Sequence, residues 1–180
     1  MSQNNTLKQE IDNMLMKNYF DMLAVCASFK LDKNLLKTRM LELQKLYHPD
    51  NHQQEKPDIL DKIMLLSSKI NHAYQVLSNS SSRAIYLLNL LKVPISDDNF
   101  IMKDSESLMQ QMDIRQQIDH AFASYNTDAL QDLEHKIKKE IEQLEDKIND
   151  YFQCKQYNQI EEKVQMMIFY QKAIDMIANH

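Results

Sequence analysis

The chain has 180 residues and no glycine. Average usage is about 7%, so about a dozen would be expected. The lack excludes the Walker loop, the Rossmann fingerprint, the G-x-S-x-G elbow and the glycine-rich kinase loop. Each needs glycine for a tight turn or for close backbone approach to a phosphate. Tight primed hairpin turns also lose their preferred residue. Three prolines add little further punctuation. Long helices joined by polar loops follow, hence an all-α fold. Helix ends that usually close with a left-handed glycine are expected to use asparagine or no left-handed residue, with Asn18, Asn79 and Asn126 as candidates.

Cysteine is nearly as scarce. Cys26 and Cys154 stand far apart, which excludes a disulfide framework and a cysteine zinc site and suits a reducing compartment. No apolar run is long enough for a membrane span, so no membrane association is expected. The first residues lack the apolar core of a secretory signal. A cytoplasmic location is expected. The histidines, His48, His52, His72, His120, His135 and His180, form no compact ligand set, so neither metal nor cofactor is expected. A His48–Asp50 pair lacks a nucleophile and a pocket, so an enzyme is not expected.

The charge that is present is uneven. Residues 17–92 hold 11 basic and 7 acidic side chains, and residues 103–180 hold 9 and 15. Opposite fields on the two halves suggest two different partners. The basic surplus is too small to indicate nucleic acid. A proline and a polar cluster at Lys92–Asn99 mark a boundary. The expected organisation is an extension (1–18), a first domain (19–92), a linker (93–103) and a second domain (104–180).

Residues 1–17 form either a weak helix, through Leu7, Ile11, Met14 and Leu15, or no ordered structure. Asp32 is an N-cap for a helix whose stripe is Leu36, Met40, Leu43 and Tyr47. Pro57 suits the first turn of a second helix, with Leu60, Ile63, Ser67, Ile70, Tyr74 and Leu77 on one side. Two antiparallel helices result. A short helix with Ala84, Leu87, Leu88 and Leu91 follows Asn79-Ser80-Ser81-Ser82. The second domain reads as a three-helix bundle. Its first helix has a core stripe of Ile114, Ile118, Ala121, Phe122 and Tyr125. Its second, capped by Thr127, runs Leu130, Leu133, Ile137, Ile141, Leu144, Ile148 and Tyr151. Its third presents Ile160, Val164, Met167, Ile174 and Ile177.

Between the two antiparallel helices lies Leu46-Tyr47-His48-Pro49-Asp50. With Tyr19-Phe20, Ile70-Asn71-His72-Ala73-Tyr74-Gln75-Val76-Leu77, Arg83-Ala84 and Tyr86-Leu87-Leu88, it resembles a J-domain, the module that docks on DnaK-type chaperones. The resemblance implies that His48, Pro49 and Asp50 trigger ATP hydrolysis by an HscA-like partner. It also implies that Lys37, Arg39 and Lys45 meet an acidic chaperone surface, where charge steers more than it binds. The family often has Lys or Arg after the tripeptide; this chain has Asn51. The lack of glycine sets the chain apart from general DnaJ-type proteins, which have a glycine/phenylalanine-rich linker and glycine-bearing zinc repeats.

Asp104-Ser105-Glu106-Ser107-Leu108-Met109-Gln110-Gln111-Met112-Asp113-Ile114-Arg115 resembles the start of the C-terminal domain of HscB-type co-chaperones of iron–sulfur cluster assembly. Periodicity independently sets Met109, Met112, Asp113, Gln116 and His120 opposite the core stripe, with Leu108 at the edge. Exposed Leu and Met beside polar groups mark a partner site. Phe169 points about 180° from the third helix's stripe at 100° per residue. The resemblance implies that Leu108, Met109, Met112, Asp113, Gln116, His120 and Phe169 touch an IscU-like iron–sulfur scaffold protein. The family tends to have carboxylates where Gln116 and His120 stand. Two other readings stay open: a J-domain co-chaperone for a different client, and a non-enzymatic helical adaptor.

Overall fold

The computed structural model describes residues 2–94 and 105–179, with side chains described from Thr6. Among the described residues every regular element is helical. These are α1 (Ser2–Met16), α2 (Tyr19–Met22), α3 (Lys33–Leu46), α4 (Pro57–Ser78), α5 (Ser80–Leu90), α6 (Ser105–Ala123), α7 (Thr127–Gln153) and α8 (Ile160–Ala178), with 3-10 turns at Pro49–His52 and Tyr157–Gln159. The chain divides into two compact units, residues 1–83 and 84–180, so the division falls within α5. Most of the expected linker, from residue 95 onward, lies outside the described residues.

In the first unit α1, α2 and α3 all pack on α4. The buried side chains of α4 are Ile59, Ile63, Leu66, Ile70, Ala73 and Leu77. Leu60, Ser67 and Tyr74, expected in the same stripe, are only half-buried. The buried six follow steps of four and three and lie within about 80° at 100° per residue, a stripe turned about 50° from the expected one. Asp32 caps α3 as expected, its Oδ1 accepting from Asn34 N at 2.9 Å and Leu35 N at 3.0 Å. Pro57 opens α4, where its missing N–H costs no helical hydrogen bond. Residues 2–16, which the sequence leaves between helix and disorder, form α1. A 15-residue helix is marginal alone. The complete burial of Ile11 is what favours it here.

Arg83 is buried and ties three segments together. Its Nε donates to Phe29 O at 2.7 Å, Nη1 to Leu77 O at 2.5 Å and Nη2 to Ser80 Oγ at 3.3 Å. The guanidinium also lies 5.1 Å from the Phe29 ring centroid, a cation–π distance. One cation therefore closes the end of α4, anchors the start of α5 and holds the loop before α3. In α5, Ala84, Leu87 and Leu88 are buried, but Leu91 lies beyond the helix end and is exposed.

In the second unit α6, α7 and α8 pack on one another. The core is Ile114, Ile118 and Ala121 from α6, Leu133, Ile137, Leu144 and Ile148 from α7, and Ile160, Val164, Met166, Met167, Tyr170 and Ala173 from α8. Two expectations need correction. Tyr125 is not core; it follows α6 and is 92% exposed. Thr127 is not the cap of α7; Asn126 is, its Oδ1 accepting from Ala129 N at 3.0 Å.

The left-handed residues are Ala24, Lys92, Tyr125 and Lys155, with φ of 50°, 55°, 51° and 57°. Each closes a helix with two nested hydrogen bonds. Tyr125 N donates to Phe122 O at 3.1 Å while Asn126 N reaches Ala121 O at 2.9 Å. Lys155 N and Gln156 N do the same to Phe152 O and Tyr151 O, at 3.3 and 2.9 Å. The asparagines do not take these positions. Asn18, Asn79 and Asn126 instead cap helix starts, accepting from Asp21 N, Ser82 N and Ala129 N. A short amide side chain at an N-cap satisfies an otherwise unpaired N–H. That use wins over its tolerance of positive φ.

A non-glycine left-handed residue costs about 1–2 kcal/mol, partly offset in glycine by a larger loss of chain entropy. Lys155→Gly should therefore stabilise the chain by about 1 kcal/mol in denaturant unfolding. Lys155→Val should destabilise it, because a β-branched side chain tolerates positive φ poorly.

Candidate functional site

The chain must reverse between α3 and α4. Tyr47 is buried at the end of α3. His48 is extended, at φ −72° and ψ 129°, as expected of a residue before proline. Pro49 then starts a single 3-10 turn. The backbone N–H of Asp50 donates to His48 Nδ1 at 3.3 Å, and that of Asn51 to His48 O at 3.0 Å. The Asp50 carboxylate lies 3.6 Å from His48 Nδ1, and its side chain is 76% exposed. The tripeptide is thus a stiff tip that presents an imidazole and a carboxylate side by side to solvent.

Two residues outside the tripeptide hold that tip. Asn51 Nδ2 donates to Lys45 O at 2.9 Å. His52 Nε2 meets Leu46 O at 2.8 Å, which requires the tautomer protonated there. Both satisfy carbonyls in the last turn of α3 that have no helical partner. The departure at Asn51 therefore has a structural use: its amide closes a helix that no glycine closes. The sequence contains the signal, two polar donors just after a helix end, but it does not say which carbonyls they reach.

The basic residues of α3 do not share one face. Lys37 and Lys45 are exposed two turns apart, with exposed Leu41 between them. At 100° per residue Arg39 sits about 200° from Lys37. It is half-buried, and its Nη1 pairs with Glu42 Oε2 at 3.0 Å. Its Nε is buried with no hydrogen-bond partner. Five of the six expected residues thus lie at the tip or on the accessible side, and Arg39 is held within the helix surface. Leu41, which the sequence reading passes over, completes a Lys-Leu-Lys stripe.

On α6, Met109 and Met112 are each 65% exposed and Leu108 is 50% exposed. Asp113, Gln116 and His120 continue the exposed face. A shallow hollow of about 500 Å³ is lined by Asp113, Gln116, Gln117, Asp119 and His120. Six of the seven expected residues therefore share one face of one helix. Phe169 is on α8 and is half-buried, with its ring 5.8 Å from that of Tyr170. It is not the freely exposed phenylalanine that periodicity suggested. Met166, Tyr170 and Ala173 widen the buried arc of α8 until its edge reaches Phe169.

Comparison with known proteins separates the same two regions. Residues 18–86 match the family model of the DnaJ domain, and residues 103–178 match that of the HSCB C-terminal oligomerisation domain. The chain is 35% identical over 131 residues to the co-chaperone protein HscB homolog of Psychromonas ingrahamii, covering 73% of this chain and 77% of that one. It is 28% identical over 165 residues to the co-chaperone protein HscB of Buchnera aphidicola, covering 89% and 92%. The chain belongs to the HscB co-chaperone family. Among solved structures it resembles human co-chaperone protein HscB, with TM-score 0.82 and 25% identity over 91% of this chain and 82% of that one. The chaperone HscB from Vibrio cholerae has the same fold, with TM-score 0.80 and 24% identity over 91% and 96%. Among the described residues no helix is long and apolar enough to cross a membrane.

In this HscB-family chain a buried phenol links α6 to α8. Gln110 Nε2 donates to Tyr170 Oη at 2.8 Å. Burial pushes the Tyr170 phenol above its ordinary value; the Glu140 charge adds to this and the Gln110 hydrogen bond opposes it. A raised folded value means the native state keeps a proton that the unfolded chain gives up. The resulting stability is complete below the free phenol value, about 10, and is lost as pH rises through the folded value. Tyr170→Phe should lower neutral-pH stability by about 1 kcal/mol through the lost hydrogen bond. It should also make the alkaline loss of stability shallower, as read by urea unfolding between neutral and alkaline pH.

Proposed function

We propose that this chain is a co-chaperone that holds an iron–sulfur scaffold protein on the exposed face of α6. Its His-Pro-Asp tip would stimulate the ATPase of a DnaK-type, HscA-like chaperone. The single observation that supports this best is the tip itself. His48 and Asp50 are exposed, joined by a hydrogen bond from the Asp50 backbone N–H to the His48 ring, and braced from behind by Asn51 and His52. A tip locked before contact loses little entropy on docking. Lys45, just before the tip, and Lys37, two turns further back on α3, would steer an acidic surface toward it. The α6 face supplies the other partner with two flexible methionines and a leucine beside Asp113, Gln116 and His120. The polar part of that contact is hydrogen bonding more than charge pairing, since Gln116 and His120 stand where the family tends to have carboxylates.

One chain that binds both partners raises the effective concentration of scaffold at the chaperone. ATP hydrolysis then commits the chaperone to the scaffold, and cluster release follows. The co-chaperone needs no catalytic group, metal or cofactor of its own for this. The exposed free thiols of Cys26 and Cys154 suit a reducing bacterial cytoplasm.

His48→Gln should abolish ATPase stimulation and leave scaffold affinity unchanged. Met109→Ala with Met112→Ala should weaken scaffold binding at least about tenfold and keep the scaffold-free stimulation. A steady-state ATPase assay with and without scaffold, beside a direct scaffold titration, reads both. Stimulation without scaffold binding by the wild type would favour a J-domain protein for another client. Neither activity would favour a helical adaptor.

A further inference from the structure

Helix α1 lies outside both family matches, which begin at residues 18 and 103. It is nonetheless fixed along α4 in one register. Lys8 Nζ pairs with Asp58 Oδ2 at 2.9 Å, Lys62 pairs with Asp12, and Lys69 Nζ reaches the carbonyls of Leu15 and Lys17. The partners advance together along both helices, so α1 and α4 run parallel. Ile11, between the first two ties, is completely buried. A lysine at the carbonyl end of α1 also complements that helix's dipole.

This register has a consequence at the tip. Lys8 is level with Asp58, in the first turn of α4. At 1.5 Å per residue, the preceding helical residues run about 9 Å further, past Pro57 and along the level of the loop. The other wall of the loop is Tyr47, buried immediately before His48. Burial raises the Tyr47 phenol and the Glu10 charge adds to it, so α1 carries a charge within electrostatic reach of that ring. α1 is therefore tied to the start of α4 and lies within electrostatic reach of the end of α3.

We propose that α1 is a positioning element of the J-domain, with Ile11 seating it on α4 and the Lys8–Asp58 pair fixing its register so that the bases of the His-Pro-Asp loop are held at a set separation. The ion pair alone is too exposed to hold the helix. Burial of Ile11 holds it, and the charges choose where it sits. None of these residues touches the chaperone on this account. They act through Tyr47 and Asp58. Its activity arm rests on the chaperone-stimulating role proposed above, so the test has a second readout that does not.

The test uses the full chain. Ile11→Asp should release α1 and raise amide hydrogen exchange of residues 47–56 by about tenfold, with α6–α8 protection unchanged. It should also raise the concentration needed for half-maximal ATPase stimulation by about five- to tenfold. Ile11→Leu should behave as wild type. Lys8→Glu should show a smaller loss of about two- to fivefold, and Lys8→Glu with Asp58→Lys should restore both readouts. Unchanged loop exchange after α1 release overturns the proposal, since the loop is then held without it. So does stronger stimulation, which would make α1 a cover over the docking site. Should the wild type stimulate no DnaK-type chaperone, the functional reading fails, and loop exchange with its charge-swap rescue still decides the role of α1.

Discussion

The first unit depends on the burial of one helix against several neighbours. α4 is the wall on which α1, α2 and α3 lean, and its six buried side chains, at steps of four and three, form one stripe about 80° wide at 100° per residue. A fully buried side chain of this kind contributes about 1.5–3 kcal/mol. Five such Ile and Leu side chains on one helix outweigh the ion pairs and caps around it, which contribute about 1 kcal/mol or less each. The position of the His-Pro-Asp tip is thus a by-product of how α3 and α4 pack. Local hydrogen bonds then stiffen the tip. Arg83 works at the other end of the same wall, where it joins α4, α5 and the loop at Phe29 through carbonyls and a ring face.

Much of this is legible in the sequence. Asp32, Pro57 and the asparagine–serine run before α5 are local signals with local mechanisms, and all three lie where those mechanisms require. The stripes of α3 and α7 are also recovered, in that every buried side chain of each helix falls within the expected stripe, the other members being half-buried. α4 and α8 are the exceptions. On α4 the buried stripe is turned about 50° from the expected one, so Leu66 and Ala73 are core where Ser67 and Tyr74 were expected; on α8 the buried arc is wider, about 180°, and takes in Met166 and Ala173. Phe169 illustrates the cost. Its angle on an isolated helix says exposed, while its place on a doubly covered helix makes it half-buried.

The two candidate surfaces differ in how much of them the sequence could show. The α6 face is one helix, so angles alone group Met109, Met112, Asp113, Gln116 and His120. The chaperone surface joins a helix to a loop. Angles alone separate Arg39 from Lys37 by about 200°, and the structure adds its pairing with Glu42. Asn51 and His52 look like departures or spare polar residues, yet they close the helix under the tip. For these two the missing information was the hydrogen-bond partner, which sequence spacing does not encode.

The lack of glycine connects these points. Without it, every left-handed helix end must be borne by a residue that resists that conformation, and Ala24, Lys92, Tyr125 and Lys155 bear it. Three of these are large and solvent-facing, as they must be: a side chain forced outward at a left-handed corner cannot also pack in a core. Asparagine, the usual second choice, is used for N-caps because an unpaired N–H at a helix start costs about as much as the backbone strain it would relieve at a helix end. At Tyr125-Asn126 the two tasks fall on consecutive residues, so one residue absorbs the strain and the next repays part of it by capping α7. α3 escapes the problem altogether. Its end carries no left-handed residue, because side chains from the loop, Asn51 and His52, satisfy its carbonyls. The helix that must present the tip is therefore closed by the tip's own neighbours, which couples the end of α3 and the geometry of His48 and Asp50 into one local unit.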